Sequence, residues 1–328
     1  MDSLIFAINA VLPIIIMVAI GYPLKRVGLL NETFAKAINK LVFHVFLPVM
    51  LFLNVYKIDG IESIELAPII YSIVAMTVIF LIALPVVMML SKKSEQRGVL
   101  LQSAFRSNYA LIGIPLTQSL FGEAGLAVSS LMSVAVIPYI NILAVISLSL
   151  FKSDGKKPSV KSIVVGIFKN PLIQSVFGGI LVLCIRALFV KCGFEFRISD
   201  IKPLYTVMGY LSSLATPLAL IMLGAQFEFS AVASLKKEIS FGVLMRTVIV
   251  PTLCLGCAYL FFRSSFNGAH FATFVSIFAT PVSVSSVPMT QEMGGDTTLA
   301  GQLVVWTTIV SALSVFAVSF LLRLAGIF

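Results

Sequence analysis

The sequence predicts an all-α protein that crosses a membrane many times. Its residues are 59% hydrophobic and only 11% charged, against roughly 25% charged in a typical soluble domain. Ten apolar segments are long enough to span a bilayer, and one thirteen-residue segment occurs twice, once in each half of the chain. Together these observations favour a polytopic membrane protein that is built from two related halves.

The net charge of +9 does not indicate a nucleic-acid partner. The basic residues lie in short loops between apolar runs, which is typical of membrane topology rather than of a nucleic-acid-binding face. The mean hydropathy is +1.06, and no soluble core could contain so many apolar side chains. The lipid bilayer is therefore the expected surrounding of the chain.

A spanning helix needs about 20 mostly apolar residues. The segments that meet this rule, numbered as spans 1 to 10, are Leu4–Leu24, Thr33–Tyr56, Leu66–Leu90, Gly98–Phe121, Ala124–Phe151, Pro171–Val190, Pro203–Phe227, Ile239–Phe262, Ala269–Met293 and Thr297–Ile327. The polar stretch Lys152–Asn170 separates spans 5 and 6. The prediction is a five-span repeat in residues 1–151, a cytoplasmic linker in residues 152–170 and a second repeat in residues 171–328.

The lysines and arginines indicate the orientation of the chain in the membrane. With the N-terminus outside, fourteen of them fall on the inner side and seven on the outer side, and cytoplasmic loops normally carry the excess. Both termini are therefore predicted outside a cell membrane. Because each half has an odd number of spans, the two halves would run in opposite directions and form an inverted repeat.

The repeated segment runs from Pro115 to Ala127 and again from Pro288 to Ala300, so that its two copies are 173 residues apart. Pro, Thr, Gln, Gly, Leu and Ala recur at the same six places. A proline removes one backbone donor and bends a helix. Broken helices at corresponding places in two halves are typical of secondary transporters, where they meet near the bilayer midplane and form the substrate site.

Spans 4 and 9 each place small, hydroxyl or amide side chains just before a proline. Backbone that is freed at such a break cannot face lipid. It can line a cavity in which the N-termini of half-helices favour an anion such as a carboxylate. The alternative is a pair of ordinary proline kinks packed inside the bundle. Pro48 in span 2 and Pro217 in span 7 are a second, looser pair of matched kinks.

Arg106 and Arg246 are the basic residues that fall well inside spans, and an ionisable group there is a functional candidate. Arg106 is the stronger one, since it lies two residues from Asn108; snorkelling to the cytoplasmic interface is the alternative. A structural role is favoured for Arg246. A lone histidine on an apolar helix, His44, is also more often structural than a proton carrier.

Acidic residues are missing from the middle of every span. Glu123 and Asp296 stand at equivalent positions that open spans 5 and 10, where helix capping is the favoured interpretation. A sodium/proton antiport mechanism is therefore weakly supported, while ion coupling through carbonyls and hydroxyls stays open. An aspartyl or serine protease would need an Asp pair or a Ser–His pair, so no enzyme is predicted.

The predicted substrate-binding residues lie at the two breaks. They are Arg106, Asn108, Tyr109, Gly113 and Pro115 in span 4, and Pro281, Ser283, Ser285, Ser286 and Pro288 in span 9. No catalytic residue, metal site or cofactor is predicted.

Several motifs resemble those of the auxin efflux carrier family, which includes the plant PIN-type carriers and bacterial malate-permease-like transporters. The resemblance covers essentially the whole chain, and its motifs are specific when taken together and in order. They are Asn108-x-x-x-x-Gly113-Ile114-Pro115-Leu116, Asn170-Pro171, Thr216-Pro217-Leu218-Ala219-Leu220-Ile221-Met222-Leu223-Gly224, Pro281 with Gly294-Gly295-Asp296, and Leu299-Ala300.

The resemblance implies a ten-helix inverted repeat similar to the bile-acid symporter and sodium/proton antiporter fold, with the broken fourth and ninth helices crossing at their prolines. Spans 1, 2, 6 and 7 would form a scaffold, commonly dimeric, and spans 3–5 and 8–10 a mobile transport domain of the elevator type. Asn108 is the site residue that carries over. The plant carriers have a long, phosphorylated middle loop, whereas Lys152–Asn170 is short, so that regulation is not expected.

The leading hypothesis is a secondary transporter for a small organic anion, either a mono- or a dicarboxylate, malate-like or auxin-like. A transport-inactive membrane sensor is the alternative from another class, although the sequence contains no soluble domain that could pass on a signal. A carrier for a non-anionic solute is the second alternative. A channel would need a continuous polar stripe, whereas the polar residues cluster at one depth.

Overall fold

The protein is almost entirely helical. The structure, a computed structural model, describes residues 2–57, 65–152, 160–193 and 197–328. Within these ranges the only β-type pairing is an isolated antiparallel bridge between Ser107 and Val282. Part of the predicted linker, residues 153–159, lies outside the described residues.

Thirteen helices follow one another in the described part of the chain. They are α1 Asp2–Arg26, α2 Glu32–Tyr56, α3 Leu66–Leu90, α4 Ser94–Phe105, α5 Tyr109–Leu150, α6 Val160–Lys169, α7 Pro171–Lys191, α8 Lys202–Gln226, α9 Phe229–Ser234, α10 Lys236–Phe262, α11 Gly268–Phe278, α12 Ser286–Glu292 and α13 Thr297–Leu324, with a short 3₁₀ turn at Ile198–Asp200.

Seven helical stretches in the described residues are long and apolar enough to cross a membrane: α2, α3, α5, α8, α10, α13 and most of α7. The protein is therefore a polytopic membrane protein. The predicted spans 4 and 9 are not continuous helices. Their pieces α4, α11 and α12 have 12, 11 and 7 residues, too few to cross a bilayer singly. The number of ten spans stays a prediction.

Three π-helical turns each precede a proline by two residues. Val42–Phe46 comes before Pro48 in α2, Tyr109–Gly113 before Pro115 in α5, and Met245–Ile249 before Pro251 in α10. A proline cannot donate to the carbonyl four residues earlier and its ring clashes with it. A widened turn relieves that clash, and such π-bulges are a recognised cause of helix bends.

A second bend divides α5. Phe121 and Gly122 have non-helical backbone angles, and the φ of Gly122 is +62°, which a residue without a Cβ adopts readily. The bend falls where the sequence analysis separated span 4 from span 5.

The second half of the predicted linker forms the helix α6. Its ten residues include apolar side chains such as Ile163 and Phe168. Ten residues are enough for a short helix but too few to cross a bilayer.

The helix α1 packs on both α8 and α13. It approaches α8 so closely that a Cβ on Gly21 would collide with the Ile221 carbonyl, and one on Gly224 with the Val18 carbonyl; small residues commonly permit such contact in membranes. The helix α2 packs on α7 and α8. The helix α11 packs along α5, and α4 packs on α3 and α5.

Candidate functional site

The two broken helices meet and pair through their backbones. The helix α4 ends at Phe105, and α11 ends at Phe278. Between the flanking helices, the Asn108 N–H donates to the Pro281 carbonyl at 2.8 Å and the Ser283 N–H donates to the Arg106 carbonyl at 3.1 Å. These bonds give partners to backbone groups that would otherwise be unpaired inside the membrane.

One of these two bonds joins residues that are separated by the repeat offset. Asn108 and Pro281 are 173 positions apart, as are the two copies of the repeated segment, and they lie next to the bridge pair Ser107 and Val282. A symmetric pair would also have an N–H at position 281 donating to the Asn108 carbonyl, but proline has none. The Asn108 carbonyl instead accepts from the Ile112 and Gly113 N–H groups, at 3.0 and 3.2 Å, and so starts α5.

Arg106 is buried at this crossing, with 1% of its surface exposed. Its guanidinium donates to Gln102 Oε1 at 3.0 Å, Asn141 Oδ1 at 3.1 Å, Ser285 Oγ at 3.1 Å and Met289 Sδ at 2.7 Å. All four partners are neutral side chains. Both terminal nitrogens are therefore hydrogen-bonded, while the positive charge has no negative charge opposite it among these partners.

Arg246, in α10, is fully buried as well, but its partners are backbone carbonyls. Its Nε donates to the Thr280 carbonyl at 2.7 Å, and its terminal nitrogens donate to the carbonyls of Ile277 at 2.7 Å and Ala104 at 3.3 Å. These carbonyls lie at the C-terminal ends of α11 and α4, where the helix dipole favours a cation. Arg246 therefore ties the two helix ends together.

A cavity lies beside the crossing. It is lined by both breaks, by α5, and by α2 and α8, and its empty space, including the part open to solvent, is about 570 Å³. Its polar lining consists of Arg106, Ser107, Asn108, Asn141, Ser283 and Ser285, with Tyr109 and Thr216. Among the described lining residues Arg106 is the only charged one, so the electrostatic potential in the cavity is positive.

Three buried polar atoms at the crossing have no hydrogen-bond partner: Ser107 Oγ, Asn108 Nδ2 and Ser286 Oγ. A buried polar group without a partner costs free energy, on the order of 1–3 kcal/mol. Ser107 and Asn108 both line the cavity. The amide nitrogen of Asn108 can only donate, so a residue in the wall of this cavity holds a buried donor without a partner. An unpartnered donor and the nearby positive charge of Arg106 both suit an anionic ligand.

A comparison with known proteins identifies the family. The family model for membrane transport proteins matches residues 6–318. The chain belongs to this auxin efflux carrier-like family of membrane transport proteins. It is a transporter family member and not an enzyme.

Two relatives of this membrane transport protein come from archaea. An uncharacterized transporter of Methanothermobacter thermautotrophicus is 25% identical over 308 residues, which cover 93% of this chain and 95% of the relative. An uncharacterized transporter of Methanocaldococcus jannaschii is 26% identical over 240 residues, which cover 72% of this chain and 71% of the relative.

Five of the predicted site residues line the cavity of this transport protein: Arg106, Asn108, Tyr109, Ser283 and Ser285. The snorkelling alternative for Arg106 is wrong, since the side chain is buried. The Tyr109 hydroxyl is engaged with Ser129, whose carbonyl it contacts at 2.7 Å, so only the ring of Tyr109 is available to a ligand.

The other five predicted residues shape the crossing without lining the cavity. They are Gly113, Pro115, Pro281, Ser286 and Pro288. A Cβ on Gly113 would lie 2.7 Å from the Tyr109 ring and 3.0 Å from the Ser276 carbonyl, so this glycine lets α5 pack closely on α11. Pro281 contributes its carbonyl to the bridge, and Pro288 is buried within α12.

Sequence reasoning missed Ser107, Asn141 and Thr216 among the polar lining residues. Asn141 lies 35 positions after Arg106, in the second part of α5, and nothing in its apolar surroundings marks it. Thr216 precedes the matched kink at Pro217 and begins one of the family motifs, but neither fact places its side chain in the cavity. A residue near each matched kink lines the cavity: Met50, two positions after Pro48, and Thr216, directly before Pro217.

The remaining ionisable candidates lie outside the cavity. His44 is half-exposed, and its Nε2 is 4.0 Å from Glu292 Oε2. Asp296 caps α13, since its Oδ1 accepts from the Leu299 N–H at 2.9 Å, as predicted. Glu123 instead accepts from the side chain of Gln118 at 2.8 Å.

Proposed function

We propose that this protein is a secondary transporter for a small organic anion, which binds at the crossing of the two broken helices. The observation that carries the proposal is the buried Arg106 guanidinium, which has only neutral partners and lies in the wall of a cavity with the unpartnered amide of Asn108. A carboxylate in that cavity would be stabilised by the opposite charge of Arg106 and by a hydrogen bond from Asn108.

The energetics favour an anion over a cation or a neutral solute. A second cation would be repelled by Arg106, and the described lining offers no carboxylate to offset that repulsion. An anion, by contrast, would compensate the buried charge of Arg106. A buried charge that lacks an opposite charge typically destabilises a protein by about 3–5 kcal/mol. The first amides of α5, at Tyr109 and Ala110, add positive partial charge at the same place.

A ten-span inverted repeat is the architecture that accounts for the crossing. Two halves related by a two-fold axis in the membrane plane bring equivalent residues together on that axis. The pairing of Asn108 with Pro281 has this character, and the kinks at Pro48 and Pro217 both approach the cavity through neighbouring residues. Repeats of this kind support alternating access around a fixed site.

Movement of one helix group against the other is the proposed transport step, of the elevator type. The helices α1, α2, α7 and α8 would form the scaffold, and the helices α3, α4, α5 and α10 to α13 would carry the substrate. The cavity lies at their boundary, lined by α2 and α8 on one part and by both breaks on the other. Polar contacts that cross this boundary, such as Asn39 Nδ2 to Gln291 Oε1 at 3.0 Å, would have to break.

The proposed function also includes a membrane, an orientation and an assembly. The protein would lie in the cell membrane with both termini outside, as the distribution of lysine and arginine favours. A homodimer formed through the scaffold is the assembly that the family resemblance suggests, and the apolar side chains exposed on α7 and α8, such as Leu181 and Val207, could serve either lipid or a second copy.

A thermal-shift screen in detergent tests the anion assignment first. Malate, citrate, lactate, pyruvate and indole-3-acetate would be compared with neutral and cationic solutes, with and without sodium. A ligand at 100 times its dissociation constant stabilises a protein by about 2.7 kcal/mol, so we expect at least one acid to raise the melting temperature. A shift by neutral or cationic solutes alone would overturn the proposal.

Asn108→Ala is the matched variant for this screen. Because the Asn108 amide nitrogen has no partner in the protein, its removal should weaken acid binding by about 10- to 100-fold while the ligand-free melting temperature changes little. Asn170→Ala is the control: Asn170 is also buried, but it caps α7 by accepting from the Leu172 N–H at 3.0 Å. It should lose about 1 kcal/mol of stability and keep its affinity.

A further inference from the structure

Each copy of the repeated segment has a glutamine three positions after its proline, Gln118 in α5 and Gln291 in α12. Gln291 lies a few positions before the start of α13. Phe121, three positions after Gln118, packs against Phe328 beyond the other end of α13, with the ring centroids 6.3 Å apart. Because α13 has 28 residues and is therefore about 42 Å long, the two glutamines lie at opposite ends of the helix bundle.

Gln291 is hydrogen-bonded to α2. Its Oε1 accepts from Asn39 Nδ2 at 3.0 Å, and its Nε2 donates to the Lys36 carbonyl at 3.2 Å. Asn39 is fully buried and also donates to Gln226 Oε1 in α8, at 3.0 Å. Both glutamines line a polar cavity at this end of the bundle. In the proposed transport step α2 and α8 are scaffold and α12 moves, so these bonds close the boundary at the end that the proposed orientation places in the cytoplasm.

Gln118 is bonded within its own helix instead. Its Nε2 donates to Glu123 Oε1 at 2.8 Å, and both side chains are exposed. Two equivalent residues therefore make different contacts in one structure: Gln291 joins the moving part to the scaffold, and Gln118 bonds the helix to which it belongs. Alternating access in an inverted repeat requires the two ends of the boundary to open in turn, and a pair of equivalent residues in different hydrogen-bonding states fits that requirement.

From this difference we propose that Gln291 and Gln118 are alternating gate residues, which hold the cytoplasmic and the outer end of the boundary closed in turn. In the conformation described above, Gln291 closes the cytoplasmic end. In the opposite conformation Gln291 releases α2, while Gln118 leaves Glu123 and bonds the outer end of the scaffold. The inference rests on the proposed function, because it names the residues that act in its transport step.

The repeat also indicates where Gln118 would bind. The matched kinks at Pro48 and Pro217 are 169 positions apart. The same offset leads from Lys36, whose carbonyl accepts from Gln291, to Tyr205 in the first turn of α8. The Tyr205 carbonyl is therefore the acceptor that we expect for Gln118 in the opposite conformation.

Spin-label distances in the purified full chain, with its four cysteines replaced by serine, test the inference. The cytoplasmic pair of labels is placed at Lys40 in α2 and Thr298 in α13, and the outer pair at Lys57 and Ala124; all four sites are at least partly exposed. In Gln291→Ala we expect the population with a long cytoplasmic distance to rise at least about tenfold, because two hydrogen bonds to α2 are lost. The outer distance should shorten in the same fraction of molecules.

Gln118→Ala should act in the opposite direction. It is added to Gln291→Ala, in which the opposite conformation is populated, and should lower that population about two- to tenfold, since one hydrogen bond to the scaffold is lost. Gln174→Ala is the matched control, because Gln174 bonds the Phe168 carbonyl at 2.8 Å, away from the boundary, and should leave both distances unchanged. Gln291→Met keeps the length of the side chain and replaces Gln291→Ala if that variant does not fold.

The outcomes separate this inference from the proposed function, since acid binding is measured separately by thermal shift. A rise in Gln291→Ala that Gln118→Ala reverses supports the gate. Unchanged distances in Gln291→Ala, or no reversal by Gln118→Ala, overturn the gate but leave the organic-anion function standing. If the distances respond as expected while only a neutral or cationic solute binds, the gate stands and the anion assignment fails.

Discussion

Arg106 and Arg246 are buried to the same degree, yet their surroundings differ in kind. Arg106 has 1% of its surface exposed and Arg246 has none. The partners of Arg106 are side chains of Gln102, Asn141, Ser285 and Met289, whereas those of Arg246 are three main-chain carbonyls. One guanidinium is held by groups that can rotate, the other by groups that are part of the backbone.

The difference in partners indicates different roles for the two charged side chains. Carbonyls at helix C-termini carry partial negative charge, so Arg246 is compensated where it stands and holds α4 and α11 in place. The side-chain partners of Arg106 are uncharged dipoles, and its field extends into the cavity. These partners are the basis for proposing a structural role for Arg246 and a substrate-binding role for Arg106.

Removal of the Arg106 charge should have the largest effect on transport. In Arg106→Gln we expect uptake of the preferred acid into proteoliposomes to fall by at least about 100-fold, since truncation of a charged partner costs about 2–5 kcal/mol. Arg106→Lys keeps the charge without the planar fork and should retain intermediate uptake. Wild-type uptake in Arg106→Gln would show that the two arginines do not differ in the proposed way.

Arg246→Gln should instead lower stability. Three buried carbonyls lose their donor, and such losses cost about 1–3 kcal/mol for each unsatisfied group, although they do not add fully. We expect the free energy of unfolding to fall by about 3–5 kcal/mol, as measured by denaturation in detergent. The fraction that stays folded should bind acid with wild-type affinity; a loss of affinity at unchanged stability would reverse the assignment.

Ser285→Ala should have the smallest effect. Ser285 is one of four partners of Arg106 and also bonds Ser283 at 2.8 Å, so in the variant the guanidinium keeps its three other acceptors. A single neutral hydrogen bond is worth about 0.5–1.5 kcal/mol, and we expect acid affinity to change by about two- to tenfold in a titration. Loss of binding as complete as in Arg106→Gln would mean that Ser285 itself contacts the substrate.

The second break shows where reasoning from the sequence reaches its limit. The repeated segment and its prolines predicted that spans 4 and 9 are interrupted, and both are. The same reasoning placed Ser286 and Pro288 in the binding site, because Ser286 is one of the hydroxyl residues before the second break and Pro288 is the proline of its repeated segment. They belong instead to α12 and do not line the cavity, since the direction of a side chain depends on where the helix resumes.

The sequence by itself determined that this chain spans a membrane, that its two halves share a segment, and that two of its helices are interrupted. These properties are local, since they depend on apolar composition and on the missing N–H of proline. Only the tertiary structure decided that Asn108 pairs with Pro281, that Asn141 holds Arg106, and that Arg246 joins two helix ends. Those contacts depend on three-dimensional packing, because a polar residue in an apolar helix has the same sequence signature whether it faces a cavity or a neighbouring helix.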